Sequence, residues 1–140
     1  MNIDKFKRQH VAILDGIGRL RETTRDGIAE NSEKIASMIV KISSVIKLHL
    51  VVEDSVLYPE VANSTDAKLS RLGERYQYEM KGISEEFFNF ANHWKLAARV
   101  AAEPERFRAE ANQVLHVLFD RMQREDSEFY PAIEASAKAK

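Results

Sequence analysis

Apolar residues recur every three or four positions along most of the chain, a spacing that places them on one face of an α-helix. Asp26-Gly27, Pro59 and Pro131 are predicted to end the first, second and fourth helices, because glycine tolerates a positive φ and proline interrupts helical hydrogen bonding. The four apolar stripes predict helices over about 2–25, 32–58, 66–96 and 104–131. Four amphipathic helices with short links predict an all-α fold, an antiparallel up-down-up-down four-helix bundle.

The size and composition of the chain fit one cytoplasmic domain. It has 140 residues, of which 44% are hydrophobic and 31% charged, so it can bury a core and remain soluble. We assign residues 1–134 to the bundle and expect 135–140 to be a frayed tail. No apolar run approaches the ~20 residues of a membrane span and no charged-then-apolar leader opens the chain, so we expect no membrane partner.

Charge and cysteine content exclude several kinds of site. The 21 Lys+Arg and 22 Asp+Glu give a formal net charge of −1, without the basic excess of a nucleic-acid binder. The chain has no cysteine, which removes disulfides, thiolate catalysis and thiolate metal sites. Phosphate-binding glycine loops and Ser-His-Asp arrangements are also absent, so we expect a binding protein and not an enzyme.

One segment of seven residues occurs twice. The run Glu-Asp-Ser-Val-Leu-Tyr-Pro at 53–59 returns as Glu-Asp-Ser-Glu-Phe-Tyr-Pro at 125–131, with five identical positions. The copies lie on the second and fourth predicted helices, which run parallel in an up-down-up-down bundle. Glu53 and Glu125 are therefore predicted to face the bundle axis at the same level.

Two histidines share the inward faces with these carboxylates. Glu53 lies within roughly 20° of the centre of the apolar stripe of the second helix, and His49 lies one turn earlier on the same stripe. His10 lies on the apolar stripe of the first helix, and Glu125 lies within roughly 30° of the centre of the fourth. Buried carboxylates are costly unless they are paired or bound to metal, and carboxylate–histidine clusters inside helical bundles hold iron or manganese.

The other two histidines do not reach the predicted core. His116 precedes Asp120 by one turn, but both lie roughly 150° or more from the centre of the fourth apolar stripe. We expect these two residues to form a surface pair. His93 lies roughly 90° from its stripe, beside Trp94, and we expect it at the edge of the buried face.

These patterns resemble the hemerythrin family, including its bacterial cation-binding branch. The resemblance implies a four-helix bundle with two non-haem irons that bind dioxygen. It matches His10 and His49 to ligands of the first iron, and Glu53 and Glu125 to the carboxylates that bridge the irons. The positions of the second iron's histidines fall on Tyr76, Met80 and Arg121. The motifs that carry the resemblance are Arg8-Gln9-His10, His49-x-x-x-Glu53-Asp54-x-x-Leu57-Tyr58-Pro59 and Glu125-Asp126-x-x-Phe129-Tyr130-Pro131.

The replaced histidines leave three arrangements open. The favoured one is a single ion held by the four inward residues, with Arg121 turned outward; iron is expected, and zinc or manganese also suit these ligands. In a metal-free arrangement, Arg121 points inward and bridges Glu53 and Glu125 in place of a cation. The third arrangement keeps two ions by using Tyr76, with Met80 a poor partner for iron.

The expected function rests on this reduced non-haem site. We expect binding or sensing of iron, dioxygen, nitric oxide or peroxide, and not bulk oxygen carriage. The alternative is a metal-free bundle that acts as a protein-interaction or regulatory module. The sequence identifies no protein partner for either function.

Overall fold

The computed structural model describes residues 2–138, and every regular element within that range is helical. Two five-residue π-helical segments interrupt the long helices, at Glu53–Leu57 and Glu125–Phe129. The first joins α2 to α3 without a break, and the second joins α6 to α7. The α-helices are α1 (Asp4–Arg25), α2 (Ser32–Val52), α3 (Tyr58–Ala62), α4 (Ala67–Trp94), α5 (Ala97–Ala102), α6 (Pro104–Arg124) and α7 (Tyr130–Lys138).

The four long helices form the predicted antiparallel four-helix bundle. Helix α1 packs against α2 and α6, and α4 packs against the same two helices, so each long helix has two neighbours. Buried apolar residues form one cluster toward the α1–α2 turn and a second around α3 and α7. A layer of buried polar residues separates the two clusters: on α1, for example, His10 lies between Phe6 of one cluster and Ile13 of the other.

Two helix ends agree closely with the sequence signals. Gly27 has a φ of 120°, directly after the last residues of α1, as expected for a glycine that ends a helix. The side chain of Asp66 accepts hydrogen bonds from the backbone N–H groups of Lys68 and Leu69 and so caps the start of α4. The short helix α5 lies in the link between α4 and α6, where the apolar pattern predicted none.

The prediction that Pro59 and Pro131 end their helices is wrong. In an ordinary α-helix the proline ring clashes with the carbonyl four residues earlier. Here a wider π turn precedes each proline: the Tyr58 N–H donates to the carbonyl of Glu53, and the Tyr130 N–H to that of Glu125, five residues back. The wider turn accommodates the ring, and the helices continue to Ala62 and Lys138.

The π segment also changes which residue faces the core. The regular apolar stripe of the second predicted helix includes Val56 among its inward residues. In the structure Val56 is 50% exposed, and Leu57 is buried in its place. A π turn adds one residue to a helical turn, which rotates the subsequent residues by one position.

The C-terminal end is more regular than expected. Residues 135–138 belong to α7, although we predicted a frayed tail over 135–140. Positions 139 and 140 lie outside the described residues, so the assignment of 1–134 to the domain and the fraying of its end in solution stay predictions.

One continuous helix, Ser32–Ala62, is long and apolar enough to cross a membrane by length and composition, with a mean hydropathy of 1.8 in its most apolar window. The sequence shows no uninterrupted apolar run of that length, because charged residues interrupt this helix. A single helix of this kind among the described residues is weak evidence for a membrane span, because core helices and signal sequences pass the same test; 33% of this window is buried. Ile35, Ile39, Ile42 and Ile46 of this helix are buried in the bundle core.

Candidate metal centre

The polar layer of the bundle brings the four predicted ligands together. His10 comes from α1, His49 from the last turn of α2, and Glu53 and Glu125 each open a π segment. All four side chains are buried, and one potential ligand atom from each lies within 4.8 Å of the others. The prediction that these residues meet in one layer is confirmed, and their role as metal ligands stays a prediction.

The inner ring nitrogens of the two histidines contact each other and the two glutamate carboxylates. His10 Nε2 lies 3.1 Å from His49 Nε2 and 3.0 Å from Glu125 Oε1. His49 Nε2 lies 3.4 Å from Glu53 Oε1. Two nitrogens and two carboxylate oxygens therefore face a common point from three helices.

The outer nitrogens of both histidines are held by acceptors. His10 Nδ1 donates to Asp126 Oδ1 at 2.8 Å, and His49 Nδ1 donates to Gln9 Oε1 at 2.6 Å. These bonds leave the Nε2 lone pairs of the neutral imidazoles pointing at each other. Two such acceptors 3.1 Å apart need a proton or a cation between them. This arrangement, with an outer acceptor on each imidazole, is the one that metal-bound histidines usually have.

Tyr130 belongs to the same layer, although the sequence analysis did not single it out. Its hydroxyl lies 3.0 Å from His10 Nε2 and 3.2 Å from Glu53 Oε2. Its ring stacks on that of His10, with 5.0 Å between the centroids. The available signal was the Tyr-Pro pair that ends both copies of the repeated segment, which the sequence analysis used only to align the two glutamates.

Arg121 points into the bundle and is 1% exposed. Its Nη2 donates to the backbone carbonyl of Tyr76 at 2.7 Å and to the Tyr58 hydroxyl at 3.2 Å, and it lies 3.4 Å from Glu125 Oε2. Its Nη1 lies 3.7 Å from a carboxylate oxygen of Glu79. The guanidinium carbon lies 4.4 Å from the centre of the Tyr76 ring, within the range of a cation–π contact.

The outward placement of Arg121 that we expected beside a single ion is therefore wrong. That expectation counted only Glu53 and Glu125 as negative charges, so a divalent ion and a buried guanidinium left a surplus positive charge. The structure adds two carboxylates, because Asp126 contacts His10 and Glu79 lies near Arg121. An inward Arg121 and a divalent ion are then electrically compatible.

The bridge between the two glutamates that the metal-free arrangement requires is only half formed. Among the described residues, the hydrogen bonds and ion pairs of Arg121 include Glu125 but not Glu53. The second oxygen of Glu53 instead accepts from Tyr130. Each glutamate thus has one oxygen in the histidine cluster and its other oxygen paired with a different side chain.

Tyr76 and Met80 make contacts outside the cluster of four predicted ligands, and their role as replacement ligands stays a prediction. The Tyr76 hydroxyl donates to a carboxylate oxygen of Glu128 and to the backbone carbonyl of Arg124. Burial and the contact with Glu128 raise the pKa of Tyr76 to about 12. Met80 packs in the larger apolar cluster. The geometry therefore does not support the two-ion arrangement built on Tyr76.

The remaining histidines lie where the sequence placed them. His116 pairs with Asp120 at 3.2 Å, and both side chains are more than half exposed. His93 is half-buried, and its ring packs edge-on against Trp94 with 4.5 Å between centroids. Arg99 donates to His93 Nδ1 at 3.3 Å. Neither histidine contributes to the polar layer.

The protonation of the layer is uneven. Burial and the charge of Glu125 raise the pKa of Glu53. Burial also acts to raise the pKa of Glu125, but the hydrogen bond with His10 and the charge of Arg121 outweigh it and lower that pKa. Burial acts to lower the pKa of His10, whereas Glu125 and Asp126 raise it above its usual value. Binding of a cation by these groups would compete with their protonation.

A buried layer of histidines and carboxylates inside a four-helix bundle defines a class of cation-binding helical proteins. Comparison with known families agrees: the family model for the Hemerythrin HHE cation binding domain matches residues 1–133. The chain belongs to the hemerythrin HHE cation-binding domain family, as the sequence motifs implied. No curated protein and no solved structure matches the chain.

Proposed function

We propose that this chain binds one iron ion through His10, His49, Glu53 and Glu125, and that the iron binds or senses dioxygen, nitric oxide or peroxide. The observation that carries the proposal is the convergence of four buried donor atoms within 4.8 Å. Two imidazoles and two carboxylates suit divalent iron, and zinc or manganese would also fit. We prefer iron because of the family resemblance, and iron would supply a redox-active Lewis acid at this position.

The second oxygens of the two glutamates support one ion rather than two. A carboxylate that bridges two ions uses both of its oxygens. Glu53 Oε2 lies 3.2 Å from the Tyr130 hydroxyl, and Glu125 Oε2 lies 3.4 Å from Arg121 Nη2. The guanidinium of Arg121 places a positive charge on the side where a second ion would lie.

The surrounding residues orient the ligands and exclude water. Asp126 and Gln9 fix the two imidazole rings through their outer nitrogens. Phe6 packs edge-on against His49 and also contacts Tyr130. These contacts cover the layer from the side of α3 and α7. We infer reversible binding without chemical turnover, in the cytoplasm and without a membrane partner; the formal net charge of −1 argues against a nucleic-acid partner.

A metal-free interaction module is the second candidate. Two observations favour it: the buried pair of Arg121 and Glu125 balances one charge without an ion, and α2 exposes apolar side chains to solvent. Val40, Leu48 and Val51 of that helix are about half exposed or more. Exposed apolar residues of this kind are common in protein contact surfaces, although single ones are also normal.

Metal analysis of protein purified without chelator separates the two candidates. We expect about one iron per chain after anaerobic loading with iron(II). The His49→Ala variant should lose the ion, whereas His116→Ala, which changes a surface histidine, should keep it. Two irons per chain with oxo-bridged absorption would contradict the single site, and a chain that retains no metal would support the interaction module.

Ligand binding is tested on the same iron(II) protein. Addition of nitric oxide or dioxygen should change its absorption or electron paramagnetic resonance spectrum, and the change should be absent from the zinc-loaded protein. Iron spectra that do not respond to dioxygen, nitric oxide or peroxide would refute sensing while leaving metal binding intact.

A further inference from the structure

The Tyr130 hydroxyl occupies a position that fits a fifth ligand of the cluster. Ligands about 2.1 Å from an ion and at right angles to each other lie about 3.0 Å apart. The Tyr130 oxygen lies 3.0 Å from His10 Nε2, and the His10–Glu125 contact is also 3.0 Å. Its contact with the outer oxygen of Glu53, at 3.2 Å, keeps the hydroxyl at the edge of the cluster. We propose that Tyr130 coordinates the ion through its phenol oxygen when the iron is iron(III). This inference rests on the proposed iron binding.

The packing around Tyr130 fixes its ring in place. The side chain is fully buried, and the ring contacts those of His10 and Phe6, with centroid distances of 5.0 and 6.4 Å. Its backbone N–H donates to the carbonyl of Glu125, so the π segment sets the distance between the two residues. A ligand held in this way requires little reorganisation when the ion binds.

Charge explains why the oxidised ion is the one that takes the phenol oxygen. Among the groups that would contact the ion directly, the two carboxylates Glu53 and Glu125 match the charge of iron(II), and iron(III) carries one further positive charge. A phenolate supplies one further negative charge, and tyrosinate is a known protein ligand of ferric iron. On oxidation, one electron passes from iron(II) to the added oxidant. The phenol O–H bond breaks, its proton goes to solvent, and an oxygen–iron bond forms.

Tyr58 provides a matched control because it holds the same place in the first copy of the repeat. It is also buried, but its hydroxyl accepts from Arg121 at 3.2 Å. The two copies therefore place one tyrosine beside the histidine cluster and the other beside the guanidinium. If both tyrosines only pack the core, replacing either one with phenylalanine should have the same effect on the spectrum of the iron-loaded protein.

The experiment is visible absorption and resonance Raman spectroscopy of the iron-loaded protein. The full chain is loaded anaerobically with iron(II), oxidised with one equivalent of ferricyanide and freed of ferrocyanide by gel filtration. We expect a visible tyrosinate-to-iron(III) charge-transfer band with enhanced tyrosine ring modes. Tyr130→Phe should still bind one iron but lack the band, and its iron(III)/iron(II) potential should rise because an anionic ligand of iron(III) is lost.

The other tyrosines identify the ligand even if Tyr130→Phe fails to fold. Tyr58→Phe, Tyr76→Phe and Tyr78→Phe should each retain the band, which leaves Tyr130 as its source. Loss of the band in one of these three variants, or its persistence in Tyr130→Phe, would overturn the inference. Bound iron without a tyrosinate band in the unmodified chain would also overturn it and leave the proposed function standing. A chain that binds no iron refutes both.

Discussion

Arg121 contacts Glu125 across one helical turn, with 3.4 Å between Nη2 and Oε2. His49 and Glu53 show the same spacing and the same 3.4 Å separation on the parallel helix. The two halves of the repeat therefore share their geometry but not their chemistry. An imidazole can exchange a proton for a metal ion, whereas a guanidinium keeps its charge and binds no metal.

Replacing Arg121 with alanine should destabilise the metal-free protein strongly. The change leaves the buried Glu125 carboxylate without its cation, which typically costs about 3–5 kcal/mol. Arg124→Ala, on the same helix, is the control: this arginine is 48% exposed and pairs with Glu79, so its loss should cost under about 1 kcal/mol. The free energy of unfolding is measured in denaturant melts. Equal small losses in the two variants would show that the buried pair contributes little.

Removing the carboxylate that supports His10 should weaken metal binding without unfolding the chain. Loss of such an outer partner usually lowers metal affinity about 10–100-fold. We expect this of Asp126→Ala, because Asp126 holds His10 Nδ1 at 2.8 Å. Asp54→Ala changes the equivalent residue of the other repeat, which is exposed, and should leave affinity unchanged. Calorimetric titration with zinc measures both; similar affinities would argue that the His10–Asp126 bond is not needed.

Two glycines in α4 should respond to alanine in opposite directions. A Cβ at Gly73 would lie 2.5 Å from Val61 Cγ1, in the core where α3 packs on α4, and such overpacking typically costs about 1–3 kcal/mol. A Cβ at Gly82 meets nothing within 4 Å, so Gly82→Ala should stabilise the helix by about 0.5–1 kcal/mol. Thermal melts compare the two variants. A stabilised Gly73→Ala protein would mean that α3 can shift freely.

The hydrogen bond between Trp94 and Glu110 should be lost in acid. Partial burial acts to raise the pKa of Glu110, but hydrogen bonds from Arg106 and Trp94 outweigh it and lower that pKa below 4.5. Its contribution to stability is therefore present above the usual carboxyl pKa and is lost as pH falls through the lower, folded-state value.

Trp94 is the single tryptophan, so its fluorescence reports this titration directly. We expect a change with a midpoint below pH 4.5 that Glu110→Gln abolishes. The exposed Glu105, which precedes it on the same helix, gives the control Glu105→Gln. A midpoint at or above the usual carboxyl value would contradict the predicted shift.

Regular helical periodicity was sufficient to find the four converging residues. His10 and His49 lie in regular α-helix, and Glu53 and Glu125 are the first residues of the two π segments, so a constant angle per residue placed all four correctly. The same rule failed at Val56, because the π turn begins at Glu53 and rotates the residues after it. Nothing in the apolar spacing marks a π turn. The shared residues before Pro59 and Pro131 were the only signal, and they show that two segments are alike without showing their shape.

The charges around Arg121 were harder to predict for a different reason. Whether an inward Arg121 is compatible with an ion depends on the charges of Glu79, which lies near Arg121, and of Asp126, which contacts His10; both are partly exposed. A helical projection identifies the residues that face inward, but it does not show which long side chains at the boundary reach back to a buried charge. The same holds for Gln9, whose contact with His49 crosses from α1 to α2.

The supporting contacts of the histidines cross between helices in a way that affects how the protein folds. Gln9, beside His10 in the chain, holds His49, whereas Asp126, beside Glu125, holds His10. A hairpin of α1 and α2 alone contains His49 with its support but His10 without it. An ion that needs all of these groups binds only after the fourth helix has docked. It would then stabilise the closed bundle over every partly folded state, and metal loading should sharpen the cooperativity of unfolding.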